Sequence, residues 1–175
     1  KALVLAGGLG KRLLPITETI AKPMIALAGK PILEYVVQYL ANNNLKDIIM
    51  VVGHKKEQIC EYFGSGKGFG ANISYVEQTK PMGIEDAILT ASPKIKGEDE
   101  FLIVHADFVA SDEIIKRALE YHNDLNSDAT IVITLVDDPT FYGAVEIDEN
   151  AKIKRIIEKP RKDEAPSNYV AAGVY

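Results

Sequence analysis

The chain is 175 residues long, 47% hydrophobic and 26% charged, a composition that suits one folded domain with a sizeable core and excludes a disordered chain. A net charge of −5 argues against a nucleic-acid partner, which calls for a basic field, and no apolar run is long enough for a membrane span, so no membrane partner is expected. One cysteine, Cys60, excludes an internal disulfide, and with no signal peptide visible the expected compartment is the cytoplasm.

Apolar runs alternate with helical patterns along the chain. ALVLA at 2–6 reads as a buried strand. PILEYVVQYLANNN at 31–44 begins with proline, a good first helical residue, and sets Ile32, Leu33, Val36, Val37 and Leu40 on one face. DIIMVVG at 47–53 is a second strand, and KKEQICEYF at 55–63 a short helix with Ile59 and Phe63 four apart. NISYVEQ at 72–78 reads as a third strand, EDAILTA at 85–91 as a helix and FLIVHAD at 101–107 as a fourth strand. SDEIIKRALEYHNDL at 111–125 has Ser111 as cap and the stripe Ile115, Ala118, Leu119. ATIVITLV at 129–136 reads as a further buried strand. The order βαβαβαβαβ predicts an α/β fold, a mostly parallel sheet with helices on both faces. Past Pro139 the pattern changes to short strand-like pieces, YGAVEID, KIKRIIEKP and NYVAAGVY.

In such a sheet ligands bind beyond the carboxyl ends of the strands. The loop after the first strand, GGLGKRLLPITETIAKP, lies there and runs for about seventeen residues, too long for a mere connection. Its glycines let backbone amides approach an anion, Arg12 can fork onto phosphate oxygens, and Lys22 adds a second cation. The plainer alternative is a tight turn with solvated basic residues. The spacing is neither G-x-G-x-x-G nor the P-loop pattern. GSGKGFG at 64–70 mimics a phosphate cradle but follows a helix and lacks Ser or Thr after Lys67, so it is expected to be a flexible surface turn. Asp107, at the end of the fourth strand, can hold Mg²⁺ against phosphate. His105 is expected to be structural, and His54, His122 and Cys60 show no zinc spacing. Cys60 itself reads as a small buried apolar residue. In EKP at 158–160, Glu158 can accept from sugar hydroxyls and Lys159 can hold a phosphate; a surface ion pair is the competing reading.

Together these segments resemble the sugar-1-phosphate nucleotidylyltransferases. LAGGLGKRLLPIT, KPM and GKPIL match that family's opening signature, and VEQTKPMGIEDAI, ADF, YGAVEID, IEKP and NYVAAGVY follow in the family's order. The likeness is greatest to glucose-1-phosphate thymidylyl- and uridylyltransferases. It implies a Rossmann-like three-layer αβα sandwich of the nucleotide-diphospho-sugar transferase type, as a single domain over 1–175. Residues 1–138 would be the nucleotide-binding core, and 139–175 the start of a sugar-phosphate part that continues beyond Tyr175. By the same resemblance Leu5, Ala6, Gly7, Gly8, Gln78 and Gly83 would contact the nucleotide, with Gln78 and the Gly83 backbone at the base. Arg12 would bind the triphosphate and Lys22 the sugar phosphate near the α-phosphorus. Asp107 would ligate Mg²⁺, with a second metal-binding Asp beyond Tyr175. Gly143, Glu158, Lys159 and Gly173 would line the sugar-phosphate pocket. The partners are then an NTP and a sugar 1-phosphate, and a homo-oligomer is allowed.

Four residues, at three places, depart from the family pattern. Ala21 stands where proline is usual. Ala106 replaces a glycine and puts a methyl beside the nucleotide. Glu85 and Asp86 bring two negative charges to a stretch that is otherwise small and neutral. The implied reaction takes NTP and sugar 1-phosphate to NDP-sugar and pyrophosphate, with dTTP or UTP favoured. The alternatives are guanylyl transfer to mannose 1-phosphate, cytidylyl transfer to another phosphorylated small molecule, and a catalytically inactive regulatory subunit of the same fold.

Overall fold

A computed structural model describes residues 1–79 and 82–175. The chain divides into two compact units, Lys1–Glu120 and Tyr121–Tyr175.

The first unit is built on four parallel strands, β1 (Ala2–Ala6), β4 (Asp47–Val52), β5 (Asn72–Glu77) and β6 (Leu102–His105), in the order β5-β4-β1-β6. Between β1 and β4 lie a two-residue hairpin, β2 (Ala26–Leu27) with β3 (Lys30–Pro31), and then α1 (Ile32–Asn42). Helix α2 (Lys56–Phe63) links β4 to β5, and α3 (Ile84–Ile95) links β5 to β6. Strands covered on both faces read as unbroken apolar runs, and all six residues of β4 except Asp47 are buried. Side chains alternate across the pleat. Leu3, Ile49 and Val51 meet Ala87, Ala91 and Ile95 of α3 on one face. Val4 and Met50, also wholly buried, point to the other. The predicted helix 31–44 is observed as 32–42, with Leu33, Val36, Val37 and Leu40 at most 1% exposed.

Two details exceed the sequence reading. Helix α3 runs on to Ile95, through Pro93, because burying Ile95 in the α3 cluster outweighs the hydrogen bond that proline cannot make. The asparagines ending α1 are also structural: Asn42 Nδ2 donates to Asp112 Oδ2 (3.0 Å) and Asn43 Nδ2 to the Asp112 carbonyl (3.2 Å). They anchor the start of α4 (Asp112–Asp124), whose stripe is only fully buried at Ile115.

The direction of sheet growth matters for the site. The chain adds β4 and then β5 on one side of β1, and α3 then carries it back to lay β6 on the other side. The strand order therefore reverses at β1, and the crevice beyond the ends of β1 and β6 is where such sheets bind ligands.

The second unit is antiparallel. β7 (Ile133–Leu135), β8 (Gly143–Ile147), β9 (Ile153–Glu158) and β10 (Tyr169–Ala171) form a sheet in the order β7-β10-β8-β9. This corrects the expectation of a buried strand over 129–136. Only three residues pair, antiparallel to β10, and Thr134 and Leu135 are exposed. The run is apolar enough for a doubly covered strand, but its partner Tyr169–Ala171 arrives from the C-terminal direction and sets the pairing.

The 64–70 turn is also more ordered in its contacts than expected. Gly66 is buried, and a Cβ there would lie 2.6 Å from Ile73 Cγ1. Phe69 stacks on Phe63 with ring centroids 4.9 Å apart. The turn packs against the edge strand β5, where the Ile73 amide donates to the Ser65 carbonyl at 2.9 Å. Cys60 is half-buried, and burial pushes its thiol pKa up, as suits an inert packing residue.

Candidate active site

In the first unit the glycine turn follows β1 directly. Gly7 is buried, and a Cβ on it would lie 2.7 Å from Gln78 Oε1, so the turn passes Gln78 with no room for a side chain. Gly8 is exposed, with nothing within 4 Å of its Cβ position, so the turn opens on that side. Leu5 is half-buried and Ala6 is 2% exposed. Their side chains belong to the sheet, which leaves only backbone towards the turn.

The loop beyond is folded back on itself by Gly10. Gly10 has φ +64°, a conformation glycine adopts freely, and its Cβ position is 2.8 Å from Thr17 Cγ2 and 3.1 Å from Lys22 Cβ. Thr17 is 2% exposed and donates its hydroxyl to the Gly10 carbonyl at 3.0 Å. Three short 3₁₀ turns follow, Lys11–Leu13, Ile16–Glu18 and Lys22–Met24. Arg12 stands exposed on the first of them and Lys22 opens the third.

Gln58 of α2 fastens the approach to Lys22. Its Oε1 accepts from the Ala21 amide and its Nε2 donates to the Thr19 carbonyl, both at 2.8 Å. Lys22 then pairs with Asp107, two residues past β6. The structure thus joins two of the predicted site residues directly, across 85 positions of sequence. Burial pushes the Asp107 carboxyl up, but the Lys22 ammonium outweighs it and holds the carboxyl below its ordinary range. Ala106 is 2% exposed and its amide donates to the Leu5 carbonyl at 3.1 Å, stitching β6 to β1. The extra methyl is therefore packed inward and does not stand in the open turn.

Gln78 is 7% exposed and bonded through its backbone amide to Val52 at 2.8 Å. Its Nε2 donates to Asp86 Oδ2 at 2.7 Å and to the Gly83 carbonyl at 3.2 Å. Asp86 and Glu85 occupy the first turn of α3, where negative charge suits the helix dipole. Lys80 and Pro81, inside the predicted base-reading stretch, lie outside the described residues.

Among the described residues no group of three or more His, Cys, Asp or Glu side chains converges. A divalent ion of the Mg²⁺ type is usually held by one or two carboxylates, with water and substrate phosphate completing the shell. Asp107, a partly exposed carboxylate at a strand end, fits that donor set.

The second unit carries the other predicted residues. Gly143 pairs with Glu158 across β8 and β9, and its Cβ position is 3.2 Å from Glu158 Oε2. Glu158 and Lys159 form an exposed ion pair at 2.9 Å, the surface pairing weighed above. The Lys159 amide donates to the Tyr142 carbonyl at 2.8 Å. Gly173 is buried beside Val174, whose carbonyl accepts from the Val132 amide at 3.0 Å. Burial and the Glu158 charge together raise the Tyr175 hydroxyl pKa. Thr17, Gln58 and the Gln78–Asp86 contact escaped sequence reasoning. Gln58 acts across 37 residues, and the other two bond over seven and eight residues, neither within one helix or strand; none of these contacts leaves a periodic signal.

A profile of nucleotidyl transferases matches residues 1–175. The chain is 39% identical over 174 residues to the bifunctional protein GlmU of Methanococcus maripaludis (strain C5), spanning 99% of this chain and 39% of that protein. It is 35% identical over 175 residues to glucose-1-phosphate thymidylyltransferase of Streptomyces antibioticus, spanning 100% and 48%. The chain therefore spans two fifths to a half of the length of these curated relatives. A crystal structure of UDP-glucose pyrophosphorylase complexed with UDP-glucose superposes with a TM-score of 0.84 at 25% identity, covering 99% of this chain and 74% of the other.

Proposed function

The chain belongs to the nucleotidyl transferase family, and on that footing we propose that the protein transfers a nucleotidyl group from an NTP to a sugar 1-phosphate. A sugar-phosphate oxygen attacks the α-phosphorus in line. The new bond joins that oxygen to the α-phosphorus, the bond from the α-phosphorus to the bridging oxygen breaks, and pyrophosphate leaves. No side-chain nucleophile is required; the protein supplies position and charge.

The observation that carries this reading is the meeting of Lys22 with Asp107 beyond the ends of β1 and β6, where the strand order reverses. In this reading the open turn at Gly7 and Gly8 receives the nucleotide, and Leu5 and Ala6 offer backbone to it. Arg12 faces the triphosphate and balances the charge that develops on the departing pyrophosphate. Lys22 turns from Asp107 to the sugar phosphate and holds it near the α-phosphorus. Asp107 would hold Mg²⁺, which supplies neutralisation of the phosphate oxygens. Gln78 and Gly83 address the base. Residues 1–138 handle the nucleotide, and 139–175 begin the sugar-phosphate part, with Gly143, Glu158, Lys159 and Gly173 as its lining. A thymidylyltransferase among the relatives and the UDP-glucose pyrophosphorylase structure support dTTP or UTP as donor, and a mannose-1-phosphate guanylyltransferase of Drosophila melanogaster among the relatives supports GTP as the second reading.

The test is pyrophosphate release by the full-length protein with five NTPs, a panel of sugar 1-phosphates and Mg²⁺. Release with at least one pair is expected. Tight nucleotide binding with no release from any pair would sink the transferase reading in favour of a binding subunit. Arg12→Ala is expected to abolish turnover while leaving sugar-phosphate binding largely intact, and equal activity in that variant would remove Arg12 from the mechanism.

A further inference from the structure

We propose that Asp86 is a positioning residue for base selection, locking the Gln78 side chain so that only its acceptor oxygen faces a nucleotide lying over the Gly7 turn. The proposal rests on the nucleotidyl-transfer reading and names what sets the base preference of that site.

An amide nitrogen carries two hydrogens, and both of those on Gln78 Nε2 are engaged, one by Asp86 Oδ2 at 2.7 Å and one by the Gly83 carbonyl at 3.2 Å. Both partners are acceptors only. Turning the amide over would set Oε1 against a carboxylate and a carbonyl with no hydrogen between them, so the chemistry of the partners fixes which end is which. Gln78 is 7% exposed, and an unpaired acceptor pair at that depth is costly. What remains to meet a ligand is Oε1, and it lies 2.7 Å from the Cβ position of Gly7, on the glycine turn itself. The neighbouring Gly8 leaves open space.

A fixed acceptor reads an N–H. Uracil, thymine and guanine carry a ring N–H at the centre of the pairing edge; cytosine and adenine carry a lone pair there. An Oε1 that cannot exchange places with Nε2 therefore favours the first three bases. Asp86 does this through one hydrogen bond, so its oxygen matters and its charge does not. An asparagine at the same place can still offer Oδ1.

The experiment is calorimetric titration of the full-length protein with UTP, dTTP, GTP, CTP and ATP, for wild type, Asp86→Ala and Asp86→Asn. In wild type at least one of the ring N–H nucleotides is expected to bind about tenfold or more tighter than CTP and ATP. Asp86→Ala is expected to lose most of that ratio and Asp86→Asn to keep it. Equal loss in the two variants would assign the effect to charge and overturn the proposal. An unchanged ratio in Asp86→Ala, no preference in wild type, or no nucleotide binding would overturn it as well. Asp86→Ser, whose hydroxyl stops short of Gln78, replaces the alanine variant if that one does not fold. Dissociation constants need no turnover, so a protein with the expected ratios that releases no pyrophosphate overturns the transferase reading alone.

Discussion

Ala21 and Gln58 are two halves of one feature. The Ala21 backbone, at φ −60° and ψ 135°, is one that proline also adopts, and proline is the residue the family pattern leads one to expect there. Proline has no N–H. Here the N–H exists and Gln58 Oε1 accepts it, while Gln58 Nε2 reaches the Thr19 carbonyl. The departure at 21 thus supplies the donor that a glutamine 37 residues away uses. Gln58→Ala leaves the partly buried Ala21 amide unpaired, while the exposed Thr19 carbonyl turns to water, and is expected to cost about 1–3 kcal/mol in urea unfolding. Because this segment presents Lys22, turnover in that variant should fall by about tenfold or more, with nucleotide KM little changed. Unaltered pyrophosphate release would make the clasp merely structural. Lys22 and Asp107, which the structure joins, were readable in the sequence as a cation in a contiguous motif and an acid at a strand end, and Gly7, Gly8 and Arg12 stand in that same motif. Gln58 was not, since a side chain bonding backbone across such a distance depends on the finished fold.

At the scale of elements, legibility followed burial. Strands β1 and β4 and helix α1 lie within a few residues of their predicted spans, because their apolar residues are buried and the pattern then records the environment. The run at 129–136 failed for the opposite reason: its apolar character does not reveal an antiparallel partner from the far end of the chain. Strand β5 adds a pH effect. Tyr75 donates its hydroxyl to the Gly64 carbonyl at 2.7 Å, and burial pushes its pKa from 10.0 up to about 12. The unfolded chain then loses this proton before the folded one does, so its contribution is whole below pH of about 10 and fades as pH rises towards about 12. The loss is at most about 2–3 kcal/mol. Urea midpoints measured against pH should fall more steeply through this window in wild type than in Tyr75→Phe. Parallel curves would show that Tyr75 titrates at the same pH folded and unfolded.

For the molecule as a whole, ligand and stability are linked by mass action. A nucleotide at about one hundred times its dissociation constant stabilises the state that binds it by about 2.7 kcal/mol. In a chain of this size that is a rise in Tm of about 5–10 °C, readable by scanning calorimetry with the preferred NTP. Arg12→Ala should shrink the rise, while its Tm without nucleotide stays near that of wild type, since Arg12 is exposed. A rise of the same size in that variant would show that Arg12 does not touch the triphosphate. Calorimetry also reports whether the two compact units, Lys1–Glu120 and Tyr121–Tyr175, melt in one step or two.

The Lys22–Asp107 pair gives the protein its own counterion. On the roles proposed above, a carboxylate that would take a metal ion would be repelled by phosphates beside it, and the Lys22 ammonium pairs with it meanwhile. On those roles, a cation reaching Asp107 would free Lys22 for a phosphate. Arrival of charge at one partner and release of the other become a single exchange. By thermodynamic reciprocity, whatever draws Lys22 away also readies Asp107 for its replacement. One ion pair would then couple the two halves of the proposed site.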